Sequence, residues 1–139
     1  MRAAFTLVEV TITLCIIGIL SAIAVPGAGR LLDSIRVNGA VTEIGSLFGA
    51  ARQLAIARSR QTSVEIDTAD RVIRVTSGTD TLRKREIGRA HDVRLSATRL
   101  RMSYAATGVG YGAANLSVVV RRNGSVDTVF VSRLGRVRH

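Results

Sequence analysis

Residues 5–26 read FTLVEVTITLCIIGILSAIAVP, and the fold turns on how this stretch is read. From Phe5 to Val25 the only charged residue is Glu9. About 20 apolar residues at helical rise cross the hydrocarbon core of a bilayer. Thr6, Thr11, Thr13 and Ser21 are compatible with that environment, because their hydroxyls bond back to the helix backbone. A water-soluble helix of this length with no polar face is unusual in a chain of 139 residues. Two readings compete. Arg2 and the small residues around Ala22-Ile23-Ala24 fit a cleaved secretory signal. Glu9 favours a retained membrane helix. An acidic residue at a helix centre costs about 2.5–3.5 kcal/mol in the membrane, so such residues mark function.

The segment FTLVE followed by an apolar helix resembles the type III signal of type IV pilins and type II secretion pseudopilins. The resemblance implies a leader at residues 1–4, cleaved between Ala4 and Phe5 by a prepilin peptidase that also N-methylates Phe5. It implies that Glu9 is the assembly glutamate, pairing with the free amine of a neighbouring subunit so that packing satisfies two buried charges. Pro26 matches the proline that ends the membrane part of the family's helix, where it removes a backbone donor and bends the helix. The family ordinarily carries glycine before the cut. This chain has Ala4, the next smallest side chain.

Beyond Pro26 a softer stretch, Gly27-Ala28-Gly29, gives way to helical periodicity. Leu31, Leu32, Ile35, Val41, Ile44, Leu47, Phe48, Ala51, Leu54, Ala55 and Arg58 recur largely at spacings of three and four. The pattern predicts one helix from Phe5 to about Ser59, kinked near Pro26, whose second half (residues 26–59) lays an apolar stripe on a globular head. Gly39, Gly45 and Gly49 weaken that half in isolation by about 1 kcal/mol each. They serve either close packing or pliability.

From about Thr62 the period changes to two, which predicts a β-rich head over 60–139. Expected strands are Ser63–Asp67, Arg71–Thr76, Thr79–Ile87, Asp92–Ala97, Arg99–Tyr104, Leu116–Arg122 and Asp127–Arg133. Asn123-Gly124, between two β-branched runs, predicts a two-residue hairpin turn that pairs Arg122 near Ser125. Ala105–Ala114, with its glycines, reads as a loop. The fold class is therefore α+β: a long N-terminal helix, then a small antiparallel, sandwich-like head. That organisation is similar to the GspH/FimT pseudopilins, with AARQLAIARSRQTSVEID and VFVSRLGRVRH as the matching head segments.

Composition narrows the chemistry. The chain carries 20 Lys+Arg against 10 Asp+Glu, a formal charge of +10. Such a balance suits nucleic acid or acidic partners without selecting either. Cys15 is the single cysteine and lies in the apolar run, so no internal disulfide is expected. His91 and His139 are the only histidines, so neither a metal nor a cofactor site is expected. His91-Asp92 reads as a solvated pair at a strand start. Glu65 and Asp67 share a strand face and answer nearby arginines. No nucleophile, base or phosphate loop is assembled in the sequence, so the chain does not read as an enzyme.

The basic C-terminus is the remaining signal. Arg121, Arg122, Arg133, Arg136 and Arg138 face Asp127 as the only acid of that stretch. Gly135-Arg136-Val137-Arg138 matches the GRxR motif associated with DNA binding in FimT-like minor pilins. Alternation places Arg136 and Arg138 on one face and Val137 on the other. The resemblance thus implies two roles. One is a minor pseudopilin or minor pilin, a structural subunit of a type II secretion or type IV pilus-like filament. It would be held by a single pass in the bacterial inner membrane, with a periplasmic head, an inner-membrane assembly platform and other pilins as partners. The alternative is a minor pilin that binds extracellular DNA through these arginines.

Overall fold

A computed structural model describes residues 6–111, 115–132 and 134–138. The leader, the Ala4–Phe5 junction and Arg133 lie outside the described residues, as does the side chain of Pro26. The chain divides into two units, residues 1–32 and 33–139.

Helix α1 covers Leu7–Ala57 and contributes to both units. It starts where Thr6 caps it: the Glu9 backbone N–H donates to Thr6 Oγ1 at 3.2 Å. The hydroxyls of Thr11 and Thr13 donate to the carbonyls of Val8 and Glu9, as expected for this environment. In the first unit the large apolar side chains from Leu7 to Leu32 are all exposed. The helix runs through Pro26 without a break.

In the second unit α1 buries Val37, Ala40, Val41, Ile44, Leu47, Phe48, Ala51 and Ala55. Spacings of three and four align these residues on one face. Leu31, Leu32 and Ile35, expected on this stripe, are instead more than half exposed. The buried stripe starts at Val37, and at about 3.6 residues per turn Leu31, Leu32 and Ile35 lie on the other side of the helix from it. Gly39 resolves in favour of close packing, because a Cβ there would lie 3.1 Å from His91 Cε1.

The helix packs on two antiparallel sheets. One has the order β3-β2-β1-β5-β6, built from Thr62–Asp67 (β1), Val72–Ser77 (β2), Asp80–Arg85 (β3), Arg101–Tyr104 (β5) and Gly110–Tyr111 (β6). The other has the order β4-β7-β8-β9, built from Arg94–Ala97 (β4), Leu116–Arg122 (β7), Ser125–Val131 (β8) and Val137–Arg138 (β9). Their inward residues, among them Val64, Ile73, Val75, Met102, Tyr104, Leu116, Val118, Val120 and Val129, close one core around the helix stripe. Edge strand β3 carries Arg83, Lys84 and Arg85, and such charge discourages further strand pairing. The Asn123-Gly124 turn forms as expected, with Asn123 at φ +47° and Arg122 paired to Ser125.

Several boundaries differ from the expected ones. The strand expected over Thr79–Ile87 stops at Arg85, because Ile87 opens a short helix, α2 (Ile87–His91). Gly88 permits this turn: its N–H donates to the Arg71 carbonyl at 3.0 Å, and a Cβ would fall 2.3 Å from Arg71 Cβ. His91 therefore ends a helix rather than beginning a strand, and Asp92 turns left-handed at φ +51°. Strand β4 begins only at Arg94, and β5 begins at Arg101 rather than Arg99. Strand β8 starts at Ser125 and ends at Val131. The expected loop Ala105–Ala114 contains β6, and the C-terminal segment adds β9.

Candidate functional site

Glu9 lies in the first turn of α1, where its charge is favoured by the exposed N–H groups of the helix start. Thr6 and Glu9 have the spacing of a capping box. The apolar run containing them is the one helix among the described residues long and apolar enough to cross a membrane, with a mean hydropathy of 2.4. Cys15 is exposed on it.

The C-terminal segment is shaped by its turn. The Gly135 N–H donates to the Ser132 carbonyl at 2.8 Å, and the Ser132 N–H donates to the Arg136 carbonyl at 2.8 Å. Gly135 sits at φ +76°, and a Cβ there would lie 2.7 Å from Tyr104 Cε1. Tyr104 is fully buried, and burial pushes its phenol up to about 12, so it stays neutral. The turn returns the chain onto β8, where Val137 pairs with Val131 and Arg138 with Phe130. Val137 packs against the core while Arg136 and Arg138 remain exposed. The alternation read from the sequence is the one found.

Arg136 and Arg138 do not stand with Arg121 or Arg122. They line a groove of about 480 Å³ together with Arg52, Gln53, Gly45 and Gly49 of α1. Arg52 is held in place by donating from Nε to the Gly108 carbonyl at 3.0 Å. The sequence alone gave no reason to join Arg52 to this motif, since 84 residues separate it from Arg136. Phe130, 55% exposed, lies beside the same arginines in a neighbouring depression.

Arg122 is committed elsewhere. Its Nε donates to Asp33 Oδ1 at 2.6 Å, and its Nη1 donates to the carboxylate and carbonyl of Asp92. Asn123 Nδ2 donates to Asp33 Oδ2 at 2.9 Å. The Arg122 side chain is only 18% exposed, so it is a structural tie rather than an open cation. Hydrogen bonds from Asn123 and Arg122 hold the Asp33 carboxyl below the usual aspartate range. The Arg122 hydrogen bond does the same for Asp92. Arg121 points to the outer sheet face, directly opposite Arg94.

The remaining acidic candidates have partners. Glu65 and Asp67 meet Arg101 and Arg74, each at 3.8 Å, which is the arginine-answered strand face expected. His91 is not a solvated pair with Asp92: its Nε2 lies 2.8 Å from Glu43 Oε2.

No family model matches the chain, and no curated protein sequence matches it. Solved structures do. The type IV minor pilin FimU of Pseudomonas aeruginosa superposes with a TM-score of 0.64 at 18% identity, over 73% of this chain and 86% of that one. A second crystal form of FimU gives 0.60 at 16% identity, over 73% and 90%. The fold is type IV pilin-like. The minor pseudopilin EpsH of the type 2 secretion system of Vibrio cholerae gives 0.57 at 10% identity, over 74% of this chain and 94% of that one.

Proposed function

We propose that this chain is a minor pilin or minor pseudopilin, a filament subunit anchored in the bacterial inner membrane with its head in the periplasm. One observation carries the reading: a pilin-like head follows a helix whose large apolar side chains from Leu7 to Leu32 are all exposed among the described residues. That surface requires lipid or neighbouring helices, and a filament supplies both in turn. Cleavage between Ala4 and Phe5 by a prepilin peptidase, with N-methylation of Phe5, leaves Glu9 five residues into the mature helix, placed to neutralise a neighbour's terminal amine. Pro26 marks the end of the membrane part. An inner-membrane platform would add subunits to the filament. Glu9→Ala is expected to abolish incorporation into filaments while leaving the subunit in the membrane. Filament fractions containing the variant at parental levels would refute the assignment. Mass spectrometry of the N-terminus checks the processing step: a mature chain beginning at Val25 identifies a secretory signal instead.

A second reading is favoured by the exposed Arg136 and Arg138 sharing a groove with Arg52. The same subunit would bind DNA phosphates there, without sequence preference and with strong salt dependence. Full-length chain in uncharged detergent is expected to shift duplex DNA at low salt. Arg136→Ala with Arg138→Ala should weaken binding about tenfold and flatten the salt dependence by about two phosphate contacts. Unchanged binding by that variant would sink this reading.

A further inference from the structure

The outer edge of the second sheet brings like charges together. Arg94 and Arg121 are direct cross-strand partners on β4 and β7, and both are exposed. Like charges in that position repel and destabilise a sheet. With Arg71 they line a pocket of about 380 Å³ whose other polar walls are Arg122, Asn123 and Asp92. Asp92 makes its ion pairs with Arg122 and with Arg36, the latter at 3.7 Å, and also feels the charge of Arg71, so it is not paired with Arg94 or Arg121. Among the described residues no ion pair joins Arg71, Arg94 or Arg121 to a carboxylate. The pocket therefore carries a strong excess of positive charge, with Asp92 as its one carboxylate. Several arginines lining one pocket suit a phosphate, whose oxygens accept the two parallel hydrogen bonds of a planar guanidinium fork.

The source of that phosphate follows from the chain's reach. Asp33, which fixes Arg122 in the pocket wall, is eight residues beyond Val25, the last residue of the apolar run. Eight residues span about 12 Å as α-helix and at most about 28 Å fully extended. The chain between the apolar run and the pocket wall is thus short, and anionic headgroups at a leaflet surface attract juxtamembrane cations. Arg30 and Arg36, both exposed, add to the positive charge along the same stretch of chain.

We infer that the Arg71–Arg94–Arg121 pocket binds the phosphate of an anionic phospholipid headgroup. This rests on the membrane-anchored reading above and adds a specific lipid contact to it. The site is separate from the Arg136–Arg138 groove, which draws on none of these arginines.

The test uses the full-length chain in uncharged detergent micelles, titrated with short-chain phosphatidylglycerol, short-chain phosphatidylcholine or inorganic phosphate. Bound lipid is counted by native mass spectrometry, and the thermal midpoint is followed in parallel. Phosphatidylglycerol is expected to bind in preference to phosphatidylcholine and to raise the midpoint. Arg94→Gln with Arg121→Gln should weaken phosphatidylglycerol about tenfold or more, whereas Arg136→Gln with Arg138→Gln should not. Without any anion, Arg121→Gln alone should raise the midpoint, because it removes the cross-strand repulsion. That rise also separates loss of binding from loss of folding.

Equal binding of the two lipids, or undiminished binding by the Arg94/Arg121 variant, overturns the inference. Inorganic phosphate matching phosphatidylglycerol at equal concentration overturns the lipid assignment in favour of a free anion. Competition by a short DNA duplex that depends on Arg94 and Arg121 overturns it in favour of nucleic acid. Alkaline carbonate extraction of membranes tests the underlying reading separately. A chain that resists extraction yet shows no lipid preference defeats the pocket alone, whereas a chain that is extracted defeats the membrane anchor and the lipid assignment with it.

Discussion

Gly135 carries two constraints at one atom. Its φ of +76° is strained for any residue with a Cβ, and that Cβ would press on the Tyr104 ring at 2.7 Å. Tyr104 lies in the core and has little room to yield. Gly135→Ala is expected to cost about 2–4 kcal/mol, combining backbone strain with overpacking. Chemical denaturation of the parent and the variant measures it. Within the GRVR quartet the glycine is therefore a packing requirement, while Arg136 and Arg138 make no comparable demand on the fold. The sequence showed the quartet but not this division, because the ring that excludes a Cβ lies 31 residues earlier in the chain. Glu9 is the contrasting case. The assembly role proposed for it rests on the sequence, because a lone acid in an apolar run is costly whatever surrounds it.

At the scale of the element, α1 shows where periodicity informs and where it fails. Val41, Ile44, Leu47, Phe48, Ala51 and Ala55 fall on the expected stripe and are buried. Leu31, Leu32 and Ile35 are out of phase with that stripe, because at about 3.6 residues per turn they fall on the other side of the helix, and they remain exposed. Spacings of three and four define one face only while the phase is kept, and the two-residue step from Ile35 to Val37 turns the helix by about 200°. Phe48, fully buried in the core that α1 shares with the two sheets, is the test of the stripe. Phe48→Ala should destabilise the chain by about 3–5 kcal/mol in denaturant unfolding, whereas Leu32→Ala should change it by less than about 1 kcal/mol. The short elements α2, β6 and β9 escaped the sequence reading for a different reason. Two to five residues hold too few periods to register, and they exist only because neighbours complete their hydrogen bonds.

Across the molecule, the Asp33–Arg122–Asp92 tie joins α1 to the β7–β8 hairpin and to the C-terminal end of α2. Both carboxyls are held below the usual aspartate range. Groups with depressed values stabilise the fold above their ordinary value, and that stability is lost as pH falls through the folded value. Thermal stability should therefore be flat near neutrality and fall below about pH 4. Asp33→Asn should lower the thermal midpoint at pH 7, and its curve should approach the parent's as the medium is acidified past that point. A constant gap between the two curves down to strong acid would contradict the tie.

Local chemistry determined much of this protein. The capped apolar helix with its single acid, the change from a period of 3.6 to a period of two, the Asn-Gly hairpin and the alternation of Arg136, Val137 and Arg138 are all properties of neighbouring residues, so sequence alone expresses them. The structure decided which faces found partners and which charges found each other. Arg122 left the set of available arginines because Asp33, 89 residues earlier, accepts its hydrogen bond. Arg52 joined Arg136 and Arg138, and Arg94 came to lie against Arg121, through helix packing and strand register. Those pairings depend on distances across the fold, which a linear pattern does not encode.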